Sequence, residues 1–346
     1  MKHKLAVVIL NFNGKNYLEK FLQNVVLYSE PYPVIVADNK SEDDSVNYLK
    51  ENFKEVQCIE LPENYGYAEG YNQALRKVKA EYFVLLNNDV EVSPNWLTPL
   101  VSAMEADNTL AACQPKLLDY NQKTMFEYAG ASGGFIDFLG YPFCRGRIFT
   151  ALEEDTGQYN ATMDVFWASG ACMMLRTRSF KEAGEFDGDY FAHMEEIDLC
   201  WRMKNLGYRI LVIPQSEVFH VGGGTLNKQN PRKTFLNFRN SLLTLTKNHP
   251  KKGLIGKIVC RLMLDGVAGA RYLFSLQALH TLAILKAHIS YYSLLGETLK
   301  KRKQQPLANA EKHSFTFSQV YKGSIVVEYY ISAVKKFSDL KKGWSA

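Results

Sequence analysis

The chain has 346 residues and a mass of 39.4 kDa, enough for one large or two modest domains with ample core. Hydrophobic residues at 47% and charged residues at 22% exclude a disordered or low-complexity chain. Six cysteines scattered without Cys-x-x-Cys pairing exclude a disulfide framework or structural zinc as the expectation and fit a reducing cytosol.

The N-terminal "MKHKLAVVILNFNG" has an apolar run too short for a signal peptide and reads as a first strand. Tyr17, Leu18, Phe21, Leu22 and Val25 then recur at helical spacing, predicting a helix over 15–28. "YPVIVADN" is a second strand, followed by a helix over 45–52. "VQCIEL" is a third strand, and "NYGYAEGYNQALRKVK" passes from a glycine turn at Gly66 and Gly70 into a helix. "YFVLLNND" is the fourth strand. Strands alternating with helices predict βαβ units and a mainly parallel sheet.

Three of these strands end in polar groups: Asn11 with Asn13, Asp38 with Asn39, and Asn87 to Asp89. Such tips share one edge of a parallel sheet, where open α/β folds bind ligands. A turn with an Asx cap is the plainer alternative at Asp89. Residues 116–163 lack periodicity and read as long loops and short strands. "VFWASGACMMLRTRSF" resumes a strand and a short helix. A helix over 195–206 ends at Gly207, and "RILVIPQSEVFHVGGGT" carries one or two strands to His220.

Helical patterns dominate from Phe235 onward, with "KKRKQQPLANAEKH" as an exposed linker. Lys247 to Ala346 hold 17 Lys/Arg against 5 Asp/Glu, whereas Met1 to Thr246 hold 24 against 31. The longest uncharged piece, "YLFSLQALHTLAIL", falls short of the roughly 20 apolar residues that cross a bilayer. This tail therefore either packs as helices on the main domain or lies on a membrane surface. A nucleic-acid reader is the weakest reading of its charge, since no stacking module accompanies it.

"VVILNFNG", "VIVADNKSEDDS", "NYGYAEGYNQAL", "LLNNDVEV", "WASGACMMLRTRSF", "FDGDYFAHMEEIDLCWR" and "FHVGGGT" stand in the order seen in family 2 glycosyltransferases. The resemblance is closest to the bacterial rhamnosyltransferase-like branch that builds surface polysaccharides, and it covers roughly residues 5–248. It implies a GT-A fold: a mixed, mostly parallel α/β sheet flanked by helices, with a C-terminal helical extension. The implied division is a catalytic domain at 1–232, split into a nucleotide-binding half (1–115) and an acceptor-side half (116–232). A basic, mainly helical region at 233–346 completes it. It further implies an inverting, metal-dependent transferase that moves one sugar from a UDP- or dTDP-sugar to a glycan or polyprenyl-diphosphate-linked acceptor. The expected setting is the cytoplasm, and docking of the basic tail at the inner leaflet stands beside packing on the main domain as its two readings. A processive synthase is disfavoured, because its Gln-x-x-Arg-Trp block does not occur.

Residue by residue, Asn87, Asn88 and Asp89 resemble the family's Asp-x-Asp motif, with Asp89 holding Mg2+ or Mn2+ against the donor diphosphate. Asn87 stands where many relatives carry the first aspartate. Asp38 and Asn39 would read base and ribose, and Asn11 and Asn13 match the first nucleotide-contacting block. Asn64, Gly66 and Asn72 belong to the glycine turn, where backbone can approach a ligand closely. Glu195-Glu196-Ile197-Asp198 aligns with the usual Glu-Asp-x-Asp, which makes Glu196 the general base, with Glu195 or Asp198 as substitutes. Asp198 and Arg202 are also spaced for an i,i+4 ion pair. His220 resembles the histidine that completes the metal or diphosphate site. Trp167, Ser169 and Gly170 would line the sugar and acceptor pocket. Arg239, next to Asn240, could hold phosphate bidentately or form a surface salt bridge, and Arg145 and Arg147 are looser candidates of that kind. The rivals are a non-catalytic nucleotide- or glycan-binding relative, suggested by Asn87 and Glu196, and a sugar nucleotidyltransferase on a similar sheet.

Overall fold

In a computed structural model, residues 3–222, 230–305, 317–340 and 344 are described. Gly223 and Gly224, and most of the expected linker, residues 306–313, lie outside them. The first half alternates as the periodicity requires: β1 (His3–Asn11), α1 (Lys15–Ser29), β2 (Val34–Asp38), α2 (Ser45–Asn52), β3 (Gln57–Glu60), α3 (Ala68–Arg76) and β4 (Ala80–Asn87). β5 (Val90–Val92), α4 (Leu97–Ala106) and β6 (Leu110–Asp119) follow. Four short strands come next: β7 (Gly134–Asp137), β8 (Pro142–Cys144), β9 (Arg147–Ile148) and β10 (Ala151–Leu152). β11 (Met163–Asp164), β12 (Cys172–Arg176), α5 (Thr177–Glu182), α6 (Glu195–Asn205) and β13 (Arg209–His220) return to the main sheet. The tail is α7 (Pro231–Asn248), α8 (Leu254–Phe274), α9 (Ala278–Gln304), β14 (Val320–Tyr321) and α10 (Ile325–Tyr330).

The main sheet runs β3-β2-β1-β4-β12-β6-β13-β11, with β5 added antiparallel to the far end of β13. β3, β2, β1 and β4 are mutually parallel, as are β6 and β13, so most paired residues lie in parallel ladders. β12 enters antiparallel between β4 and β6. Strands covered on both faces must be apolar on both, and β1 shows it: Ala6 and Val8 join one core cluster, Leu5, Val7 and Ile9 the other. Each such side chain fully buried contributes about 1.5–3 kcal/mol of transfer free energy.

Residues 116–163 form the expected loops and short strands, and those strands assemble into a sheet of their own. β10-β9-β8-β7 make a second, antiparallel sheet, and β14 from the tail adds to it parallel to β7. Short strands with no amphipathic period give no signal for such a sheet until a distant segment supplies the pairing. Asp137 seals the junction. Its buried carboxylate accepts from the backbone N–H groups of Leu139 (2.9 Å), Tyr141 (2.8 Å) and Ile325 (3.0 Å). α7 starts with Pro231 behind Asn230, whose side chain caps the Arg232 N–H at 2.9 Å. Among the described residues no helix is long and apolar enough to cross a membrane.

Candidate active site

Parallel pairing brings the tips of β1, β2 and β4 to one edge, and their polar side chains bond to one another. Asn88 donates to Asn11 Oδ1 at 2.8 Å, and Asn11 donates to Asp38 Oδ2 at 3.0 Å. Ser41 adds its N–H (2.8 Å) and its hydroxyl (2.6 Å) to the Asp38 carboxylate. Three of the roughly four acceptor directions of Asp38 are therefore used inside the protein. Gly14 is required here, because a Cβ would stand 2.1 Å from Asn88 Nδ2 and 2.4 Å from Asn11 Oδ1. Asn13, at φ 51°, accepts from the Glu42 N–H at 2.7 Å and closes the same turn.

Several expected ligand contacts have protein partners instead. Asn39 donates to Asn64 Oδ1 (3.1 Å) and the Gly66 carbonyl (2.9 Å), and accepts from the Tyr65 N–H (3.1 Å). Its amide shapes the glycine turn, leaving little with which to read a base. Gly66 is needed for fit: at φ +72° its Cβ would meet Phe191 at 2.6 Å. Asn72 exchanges two hydrogen bonds with the backbone of Phe186, donating at 2.9 Å and accepting at 3.1 Å. Trp167 is buried in the core and donates to the Phe135 carbonyl at 3.0 Å, so it offers no face to a sugar. Ser169 is likewise buried, its N–H bonded to Gln114 Oε1 at 2.9 Å. Gly170 accepts from the Tyr67 hydroxyl at 2.6 Å. Arg145 spends its guanidinium on the Ser132, Tyr159 and Ala161 carbonyls. Arg147 donates to Cys144 Sγ (3.2 Å), a weak acceptor, and to the Phe149 carbonyl (3.3 Å), and its buried Nε has no partner among the described residues.

Asp89 and His220 meet because β5 pairs with the end of β13, setting Val90 opposite His220. Oδ1 of Asp89 lies 3.1 Å from Nε2 of His220, and both residues are buried. On its other side His220 Nδ1 lies 3.3 Å from Oε1 of buried Glu127, without hydrogen-bond alignment. Asn87 Nδ2 approaches His220 Nε2 at 3.5 Å. Burial opposes charge on the imidazole, but Glu127 and Asp89 outweigh it and hold the His220 pKa well above its ordinary value. Burial likewise pushes the Asp89 carboxyl up, and His220 outweighs that, leaving it below the usual range.

The 3.1 Å between Asp89 Oδ1 and His220 Nε2 is the hydrogen bond of an ion pair. Among the described residues no three His, Cys, Asp or Glu gather into a cage. Asp89 would meet a cation directly, and His220 would join it only by giving up its ring proton, with substrate oxygens and water in the remaining positions. Glu127 was not singled out in the sequence. It sits in an irregular stretch after β6, where only tertiary contact reveals its partner.

The acidic helix opens on a strained entry: Phe191, His193 and Met194 all have positive φ (62°, 69° and 73°). Asn240 holds this entry, donating to the carbonyls of Tyr190 (3.0 Å), Ala192 (3.0 Å) and His193 (2.8 Å). Arg239 adds bonds to the carbonyls of Asp189 (2.9 Å) and Tyr190 (3.2 Å). The Arg239–Asn240 pair thus grips a loop rather than a phosphate or a surface carboxylate.

The three carboxylates of α6 diverge, as helical spacing demands. Asp198 is fully buried and accepts from Arg202 (2.9 Å), Lys247 (2.9 Å) and Asn248 (2.7 Å), which corrects its candidacy as a base. Glu195 is buried, and Glu196 half-buried; each has an Oε2 with no hydrogen-bond partner. Burial raises the Glu196 carboxyl to about 7. Burial, then the neighbouring Glu196, raises Glu195 well above its ordinary value. Buried carboxylate oxygens without partners are costly, and they mark where a protein has left room for another molecule's donor. Burial raises the Cys144 thiol above its ordinary value, and Glu127 and Glu196 add to the shift.

The fold gathers polar strand tips at one edge of a mostly parallel sheet, and comparison with known proteins supplies the family. The model of glycosyl transferase family 2 matches residues 6–184, and the chain belongs to that family. Among its relatives are N-acetylglucosaminyl-diphospho-decaprenol L-rhamnosyltransferase of Mycobacterium tuberculosis and the rhamnosyltransferase WbbL of Escherichia coli. The first is 26% identical over 239 residues, covering 64% of this chain and 76% of the relative. The second is 24% identical over 223 residues, covering 62% and 82%. These likenesses place the chain in the rhamnosyltransferase-like branch. Among solved structures, GalNAc-T7 with UDP, GalNAc and Mn2+ superposes with TM-score 0.57 at 16% identity, over 71% of this chain and 48% of that one. The mannosyltransferase PcManGT of Pyrobaculum calidifontis, in complex with GDP-Man and Mn2+, gives 0.51 at 14%, over 84% and 88%. Both share the fold.

Proposed function

We propose that this glycosyltransferase transfers one sugar, with inversion, from a UDP- or dTDP-sugar to a glycan or lipid-linked acceptor in bacterial surface polysaccharide synthesis. The observation that carries the reading is the unpartnered Glu196 oxygen, on a carboxyl raised to about 7 by burial. A base with that affinity accepts a proton at neutral pH and stays matched to its task. In the proposed step Glu196 takes the proton of an acceptor hydroxyl. The hydroxyl oxygen bonds the anomeric carbon from the face opposite the diphosphate. The glycosidic C–O bond breaks, its electron pair leaves on the nucleoside diphosphate, and the configuration inverts.

Asp89 and His220 would hold Mg2+ or Mn2+, which offsets negative charge on the departing diphosphate. Asp38 retains one acceptor direction for the base of the nucleotide. Arg147, with its buried Nε unpartnered, is the candidate to meet an acceptor phosphate. A lipid-diphosphate acceptor is supported by the activity named for the mycobacterial relative, and the cytoplasm by six unpaired cysteines. The test is nucleoside diphosphate release from a panel of UDP- and dTDP-sugars with a lipid-diphosphate acceptor, with Mn2+ and with EDTA. Acceptor-dependent release that EDTA abolishes supports the reading. Release that needs no acceptor and no metal would sink it.

A further inference from the structure

α8 is built inside out. Its charged Arg261 and Asp265 are 2% and 1% exposed, whereas Met263 and Val267 are each 67% exposed. The buried charges are consumed within the protein. Arg261 donates to the Leu139 carbonyl at 3.1 Å and lies 3.7 Å from the Tyr141 ring, and Asp265 pairs with His288 Nε2 at 3.0 Å. Ile255 and Val259 continue the outward stripe at four-residue spacing, so one face of the helix presents apolar side chains to the outside over its length. A helix resting in water carries the opposite arrangement.

α9 extends the same surface. It buries Ala283, Ile284 and Ala287 and leaves Leu282, Leu285 and Ile289 exposed. The turn between the helices ends in Phe274, 87% exposed, and Leu276, 94% exposed. A contiguous apolar patch of this kind marks an interaction site. Around it the charge is mainly positive: residues 251–304 hold 10 Lys/Arg against 2 Asp/Glu, with Arg261 and Asp265 both buried. Lys251, Lys252, Arg271 and Lys286 are exposed. A second copy of the chain docked by a two-fold axis would set this basic surroundings against itself. An anionic lipid surface complements both the apolar stripe and the cations.

We infer that the α8–α9 hairpin is an interfacial anchor. It lies flat with Met263, Val267 and the Phe274–Leu276 turn embedded among the headgroups and upper acyl chains of an anionic bilayer. The embedded turn also adjoins the acceptor-side sheet. Tyr272 stacks on His280 (4.8 Å between centroids), Arg271 lies over Tyr330 at 5.0 Å, and Tyr330 packs on Phe149 beside Arg147. Only the purpose of the anchor, meeting a lipid-linked acceptor, rests on the reaction proposed above.

The test is flotation of the full-length protein with phosphatidylcholine vesicles, with and without phosphatidylglycerol. The expected result is flotation with the anionic vesicles, weakened by salt, and a loss of about tenfold in Met263→Glu/Val267→Glu. A second variant, Phe274→Ser/Leu276→Ser, should lose binding similarly, and thermal melting should match wild type because all four side chains are exposed. Failure of the wild type to float, or equal flotation of the variants, overturns the anchor. So does light scattering that shows a dimer which the substitutions dissociate, since the patch would then join two copies. Flotation without any transfer activity would leave the anchor standing and refute the reaction alone.

Discussion

Glu196 is the proposed base, and the environment of its carboxyl sets how it should respond to pH. Its carboxyl is raised to about 7 by burial, so it is protonated below that pH and cannot serve as a base there. kcat/KM should therefore rise with pH through about 7, and Glu196→Gln should lower it about 100- to 10,000-fold with the rising limb abolished. An unchanged limb in that variant would move the base elsewhere, with Glu195 next in line. Asp89 makes a separate prediction. Asp89→Ala should retain the fold but raise the Mn2+ concentration for half-maximal activity by at least about tenfold, read by metal titration. Both residues were legible in the sequence, because a strand tip and a helix start are local features that an ordered set of motifs locates. Glu127 was not, since its relation to His220 exists only once β13 has folded back.

At the scale of the element, the entry to α6 is the costly part of the site. Three consecutive-region residues at positive φ are held there by Asn240, which reaches from α7 to three carbonyls. Asn240→Ala would leave those carbonyls unpaired and free the loop to relax. kcat should fall about tenfold or more with the donor KM little changed, because the displaced atoms carry the base rather than the nucleotide. Thermal melting equal to wild type separates this from a smaller folded fraction, which would lower apparent kcat in the same way, and a rise in donor KM would place the effect at the nucleotide instead. The helix itself was legible in the sequence: 195–206 was expected, and Glu195–Asn205 forms, ended by Gly207 at φ +89°. Its clamp is open in the sequence to a phosphate contact or a surface salt bridge, because an Arg-Asn pair does not reveal what it faces.

For the whole molecule, the tail is tied to the acidic helix by buried charge. Lys247 bonds Asp187 at 2.6 Å and Asp198 at 2.9 Å, and Lys301 bonds Asp187 and Asp189, each at 2.6 Å. Burial pushes both Asp187 and Asp198 up. Lys247 and Lys301 outweigh it at Asp187, as do Arg202 and Lys247 at Asp198, so both end below the usual range. Depressed carboxyls stabilise the fold above their unfolded value of about 3.9, and that stability is lost as pH falls through the lower folded values. Tm should thus drop steeply below about pH 4. Lys247→Met should cost about 3 kcal/mol by urea unfolding, at the low end for breaking a buried pair because Arg202 and Lys301 remain.

The sequence by itself determined the alternation of β1 to β4 with their helices, the polar strand tips, the acidic helix and the family. Each rests on periodicity or motif order, which near neighbours in the chain establish. Tertiary structure decided the second sheet with its borrowed β14, the pairing of His220 with Asp89 and Glu127, and the removal of Asp198, Asn39, Trp167 and Arg239 from ligand-facing roles. It also decided that α8 turns its charges inward. A polar side chain is chemically free in a sequence, and only the atoms that packing brings beside it determine whether it serves the fold or a substrate.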